Sequence, residues 1–190
     1  RARPRDSQAR RTPESEQQTR RTRIDPRLRA LGWTVVPFQP GTDLTHLRQH
    51  AITELDTASG PADYAFVVDG ELVGVIEAKK LSLGPQNVLV QAERYARGLG
   101  GTAFDYDGLR VPFLWSTNGE VVWFHDVRHP LNASRSVSDL PTPNAIREAL
   151  VRRLDELSAR LLGIPNEHPR LRPYQREANA AIEAAIASNS

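Results

Sequence analysis

Two short apolar runs restrict the fold of this chain more than any other feature: Asp63 to Val68 (DYAFVV) and Leu72 to Ala78 (LVGVIEA), separated by Asp69-Gly70. Asp-Gly between two such runs is a strong hairpin signal, because a two-residue type I′ turn needs positive φ at both positions. Neither run alternates apolar with polar residues, so both faces of the strands must be covered, as in the centre of a sheet. The cover has to come from helices. Thr12-Pro13-Glu14 reads as an N-cap, a proline in the first turn and a favourable acid, so a helix begins there. It breaks or kinks near Asp25-Pro26 and stops at Leu31, before Gly32. Pro85 opens a second helix that runs to about Arg97, ahead of Gly98, Gly100 and Gly101. Thr142-Pro143 starts a third, with Ile146, Leu150, Leu154, Leu157 and Leu161 on one stripe and Gly163 at its end. Further β runs are Trp33 to Phe38, Ile52 to Leu55, Phe113 to Ser116 and Glu120 to His125. The last two flank Asn118-Gly119, which reads as a second two-residue type I′ hairpin, and Thr45 to Gln49 reads as a helical turn. This order of elements implies an α/β fold, a mixed central β-sheet flanked by helices.

At 190 residues the chain is long enough for one domain and a fragment of another. It contains no cysteine, which excludes disulfides, thiolate metal sites and a cysteine nucleophile, and agrees with a cytoplasmic setting. No apolar run approaches the roughly 18 residues of a membrane span, so no membrane association is expected. With no methionine, the chain is expected to be a trimmed piece of something longer. Residues 1–23 hold eight arginines against Asp6, Glu14 and Glu16, so most of the basicity lies in an N-terminal arm, and residues 1–13 are expected to be disordered. Such an arm suits nucleic acid electrostatically, and it also suits a solvated leader. The two lysines, Lys79 and Lys80, are adjacent at the end of an apolar strand, whereas every other basic residue is arginine. A lysine kept at that one place points to a need for a compact, strongly hydrated ammonium.

The residues best placed for chemistry are Asp63 on one strand and Glu77-Ala78-Lys79 on the next. Metal-assisted hydrolysis of a phosphodiester needs hard oxygen ligands that converge, and Mg²⁺ accepts one or two carboxylates together with water and phosphate. Glu77 and Lys79 share a strand face, about 6.6 Å apart. Asp63 joins them only under one condition. A strict two-residue loop at Asp69-Gly70 pairs residue 63 with 76 and sends Glu77 to the far face, whereas a longer loop or a β-bulge puts 63 and 77 together. The apolar flanks Val73, Val75 and Ile76 place Glu77 where an unpaired carboxylate would be costly. The pairs His46/His50 and His125/His129 are spaced four apart, but no HExxH accompanies them, and they read as structural or solvent-facing. No G-x-x-x-x-G-K-[ST] occurs, so the chain has no Walker lysine.

Asp63, Glu77-x-Lys79 and Gln91-x-x-x-Tyr95 together resemble the PD-(D/E)XK nuclease fold, in the variant at the N-terminus of the restriction (R) subunit of type I restriction-modification enzymes. The stretches at 15–33, 61–80 and 113–124 resemble that family's nuclease domain, and LRPYQREANAAIEAAI (171–186) resembles the opening of a superfamily 2 helicase motor. The resemblance implies a nuclease domain over 14–141, a connecting amphipathic helix over 142–164, and a linker with the first helix of a truncated translocase over 165–190. It implies Mg²⁺ held by Asp63 and Glu77, with the Ala78 carbonyl and Glu16 as further ligands and Glu14 as the competitor of Glu16. Lys79 would position or activate water, and Gln91 and Tyr95 would form the family's QxxxY motif beside the site. Proline precedes the first aspartate directly in the family, whereas Ala62 stands between Pro61 and Asp63 here. The implied substrate is double-stranded DNA and the implied partners are methyltransferase and specificity subunits. ATP would be hydrolysed by sequence downstream. The alternative is a catalytically silent, nuclease-like domain of a helicase that binds DNA or subunits.

Overall fold

A computed structural model describes residues 15–79, 89–129, 132–151, 163 and 168–188. Residues 1–13 of the basic arm, Glu14, Lys80, the helix starts expected at Thr12 and Pro85, and the Leu154 to Leu161 stripe lie outside the described residues. In chain order the elements are α1 (Glu16–Thr19), a π-helical turn (Arg20–Ile24), α2 (Asp25–Ala30), β1 (Thr34–Pro37), a 3₁₀ turn (Leu44–His46), β2 (Gln49–Leu55), β3 (Ala62–Val68) and β4 (Glu71–Ala78). There follow α3 (Leu89–Arg97), β5 (Phe113–Thr117), β6 (Val122–Asp126), β7 (Arg135–Val137), α4 (Pro143–Val151) and α5 (Pro173–Ser188).

The Ser15 side chain caps α1 by accepting from the Gln18 amide at 3.2 Å. The kink expected near Asp25-Pro26 takes the form of the π turn just before Pro26, which has no amide hydrogen to continue the α ladder. The segment stops on a Schellman arrangement: Gly32 sits at φ +94°, its amide donates to Arg29 O at 3.1 Å, and the Trp33 amide donates to Leu28 O at 3.0 Å.

Seven strands form one mixed sheet in sequence order, with β1/β2 and β4/β5 parallel and the other neighbours antiparallel. The fold is therefore α/β with a mixed central sheet. Each face of the sheet carries its own core. Ile24, Leu28 and Trp33 from the N-terminal segment and Ile146 from α4 pack with Tyr64, Phe66, Ile76 and Trp115. Ala92, Tyr95 and Ala96 from α3 pack with Ala65, Val67, Val75 and Leu114 on the other. The double burial explains why the central runs carry no polar alternation.

Asp69 and Gly70 have φ of +50° and +89°, the two positive values of a type I′ turn, and Val68 pairs with Glu71 across it. The register then shifts. Val67 pairs with Leu72, but Phe66 pairs with Gly74, so Val73 is an extra residue. A Cβ on Gly74 would lie 2.5 Å from a ring carbon of Trp115, so the bulge and the tryptophan share space that only glycine leaves open.

One expectation needs correcting, and one strand was not foreseen. Asn118-Gly119 is not a two-residue hairpin: Thr117 pairs with Val122, leaving four residues in the loop, and of the pair only Gly119 has positive φ. The Asn118 side chain instead accepts from the amides of Glu120 (3.0 Å) and Val121 (2.9 Å), an Asx-type turn that stabilises the longer loop. Strand β7, three largely exposed residues, has no counterpart in the sequence reading.

Candidate metal centre

The Val73 bulge decides the geometry of the site. Beyond it Tyr64 faces Ile76, so Asp63 comes opposite Glu77, and the same-face condition on these two residues is met by a bulge rather than by a longer loop. The regular pairing ends there. The Ala78 amide donates to Asp63 Oδ2 at 2.7 Å, so a side chain takes the place of a strand partner. On its other edge β4 stays held to β5, where the Lys79 amide donates to Thr117 O at 2.8 Å. The ends of β3 and β4 thus bring together the Asp63 carboxylate, the Ala78 amide bound to it and the Glu77 and Lys79 side chains.

Glu77 is 2 % exposed, and its Oε2 is buried with no hydrogen-bond partner. Its Oε1 accepts from Lys79 Nζ at 2.5 Å, and Lys79 Nζ also lies 4.0 Å from Glu16 Oε1. Burial raises the Glu77 carboxyl to about 7, helped by the charge of Asp63 and opposed by Lys79. Burial also raises Asp63, against the Ala78 amide and the charge of Arg20. For Lys79 burial favours the neutral form, but the hydrogen bond it donates to Glu77 and the surrounding carboxylates outweigh it and raise its pKa. The arrangement is an acidic cluster with more carboxylate than its cations satisfy.

Asp63, Glu77, Lys79 and Glu16 therefore come together, with Ala78 holding Asp63. Gln91 and Tyr95 do not join them by hydrogen bonds: Gln91 Nε2 donates to Tyr95 Oη at 2.9 Å, and Tyr95 is part of the core under α3. Arg20 escaped the sequence reading. Its Nη1 donates to Asp63 Oδ1 at 3.0 Å and also to Glu54, its Nη2 reaches Asp63 O at 3.4 Å, and its guanidinium lies 5.1 Å from the Tyr64 ring centre. The available signal was its spacing of four from Glu16, which puts both on one helix face. Tyr64 Oη donates to Asp25 Oδ1 at 2.6 Å, tying the end of the π turn to β3.

Among the described residues no group of three or more acidic, histidine or cysteine side chains converges as a ready metal cage. Mg²⁺ does not need one, since it keeps several waters and takes one or two carboxylates. Glu77 Oε2, a buried carboxylate oxygen without a partner beside a second carboxylate, fits a hard cation.

Residues 34–150 match the model of the family described as type I restriction enzyme EcoKI endonuclease subunit, second domain. That span contains Asp63, Glu77, Ala78, Lys79, Gln91 and Tyr95, and Glu16 and Arg20 lie before it. A solved chain described as a fragment of an HsdR subunit of a type I restriction enzyme from Vibrio vulnificus YJ016 is 21% identical, with a TM-score of 0.49. The likeness covers 93% of this chain and 33% of that one, so the chain spans about a third of that fragment. No curated protein matches the sequence.

Proposed function

We propose, from the premise that this chain belongs to the type I restriction enzyme endonuclease-subunit family, that it is a PD-(D/E)XK nuclease domain hydrolysing DNA phosphodiesters with Mg²⁺. The observation that carries the reading is Glu77: a nearly inaccessible carboxylate, opposite Asp63, with one oxygen left without a partner. A buried carboxylate oxygen without a partner is costly, and active sites are where such arrangements recur.

Asp63 and Glu77 would hold the ion, with the Ala78 carbonyl and Glu16 at the margin. A divalent ion there would supply Lewis-acid stabilisation of the charge that builds on the phosphate oxygens. The chain's own residues do the rest. Lys79 carries three N–H donors and uses one on Glu77 Oε1, which leaves donors to orient the attacking water and to face the phosphate. Asp63 is fixed from two sides, by the Ala78 amide and by Arg20, so its carboxylate enters the reaction already oriented. Gln91, bonded to Tyr95 on α3, would contact DNA or water beside the carboxylates.

In the parent enzyme ATP would drive translocation through a motor whose first helix is α5, and methyltransferase and specificity subunits would select the double-stranded DNA. Among the described residues no helix is long and apolar enough to cross a membrane. The test is Glu77→Gln in the assembled, ATP-driven enzyme. DNA cleavage should fall by at least a thousandfold while ATP hydrolysis and thermal stability are retained. Cleavage near the wild-type rate would rule the site out.

A further inference from the structure

Resting on the metal-site reading of Asp63, the structure assigns Arg20 a role beyond it: we propose that Arg20 is a tethered cation that fills the Glu54 side of Asp63 and confines the domain to one divalent ion, on the Glu77 side. Asp63 stands between two acids. Glu77 lies opposite it on β4, and Glu54 lies beside it on β2, between Thr53, which pairs with Tyr64, and Leu55, which pairs with Ala62. A bridging ion could use either pair of carboxylates. The two sides differ in what already occupies them.

On the Glu54 side a single nitrogen, Arg20 Nη1, donates to both Glu54 Oε1 and Asp63 Oδ1, which is where an ion shared by those carboxylates would sit. The guanidinium is held there by further contacts, with Nη2 on Asp63 O and the cation over the Tyr64 ring. Its side chain is 15 % exposed although it carries a permanent charge. Its backbone lies in the π turn, a local departure from α geometry that recurs at functional sites. Glu54 itself has φ +56°, a left-handed value that a non-glycine residue adopts at a cost. On the Glu77 side the cation is Lys79, which bonds Oε1 and leaves Oε2 free. The Glu54 side of Asp63 therefore already holds a cation, whereas towards β4 Asp63 Oδ2 accepts only the Ala78 amide and Glu77 Oε2 has no partner. Arginine suits the plug because its planar fork reaches two carboxylates and a carbonyl at once, and because it cannot be deprotonated.

The test counts Mn²⁺ bound to the whole chain, by calorimetry and by the electron paramagnetic resonance of bound ion, without DNA or nucleotide. Wild type should bind one Mn²⁺, lost in Glu77→Gln. Arg20→Gln should bind two, and the second should disappear again in Arg20→Gln/Glu54→Gln. Two ions on the wild type, or one on a folded Arg20→Gln, would overturn the proposal, and the wild-type count decides even where that variant fails to fold. No ion on the wild type would refute the metal-site reading instead. The one-ion proposal, which rests on that reading, would fall with it.

Discussion

Glu77 concentrates the physics of the site in one side chain. Its carboxyl is raised to about 7 by burial first and by Asp63 second, whereas an ordinary glutamate in an unfolded chain titrates near 4.3. A group whose folded pKa is raised binds protons preferentially in the native state, so its stabilising contribution is full below the unfolded value and is lost as pH rises towards 7. In the metal-free chain the loss between pH 4 and 8 from this one group is on the order of 3 kcal/mol. Urea unfolding should therefore show Glu77→Gln more stable than wild type at pH 8 and nearly equal to it at pH 4.5. A variant less stable at pH 8 would mean that the carboxylate is satisfied without a metal. Lys79 supports a second residue-scale prediction. If it were only the partner of Glu77, arginine would serve, because a guanidinium satisfies a carboxylate well. If it orients water, the larger planar group displaces that water by about 1 Å, which costs on the order of a hundredfold in rate. Lys79→Arg should thus lower DNA cleavage about a hundredfold with little change in melting temperature, and an unchanged rate would reduce Lys79 to an ion-pair partner.

At the scale of elements, the hairpin of β3 and β4 was legible because Asp-Gly between apolar runs has one common solution, and the turn has the two positive φ values that solution requires. The bulge was legible only as a condition. LVGVIEA buries equally well in either register, so apolar pattern cannot fix the parity, and Gly74 was the only residue in it that marks the irregularity. Arg20 was hidden for a different reason, since one arginine among eight in a basic segment looks like solvated charge until the helix face is drawn. The Asn118 loop was misread because asparagine serves two turn chemistries, left-handed backbone or side-chain capping, and here the side chain prevails. Short, exposed β7 offered no apolar signal at all. A prediction belongs to this scale. In Gly74→Ala the new methyl would meet a Trp115 ring carbon at 2.5 Å and Phe113 O at 2.8 Å, and that ring is packed against Phe66 and Phe124. The variant should lose about 1–3 kcal/mol in urea unfolding, and a neutral result would show that the bulge adapts freely.

For the whole molecule, the family match runs from β1 to the last turn of α4, so Asp63, Glu77 and Lys79 sit inside the matched region while Glu16 and Arg20 reach it from the preceding segment. The division of labour that follows is physical. The sheet supplies Asp63 and Glu77 at the ends of two central strands, the N-terminal segment supplies Arg20 against Asp63, and Lys79 at the end of β4 takes one oxygen of Glu77. The reading of α5 as the start of a motor implies that DNA cleavage and ATP hydrolysis are separable, which the Glu77→Gln enzyme tests by retaining the second activity. The central claim is that Asp63 and Glu77 share a divalent ion, and anomalous diffraction from crystals of this chain grown with Mn²⁺ measures it directly. The account predicts an anomalous peak roughly 2.0–2.3 Å from a carboxylate oxygen of each residue, on the side of Asp63 away from Arg20. A peak elsewhere, or none at Mn²⁺ concentrations that support DNA cleavage, would contradict it.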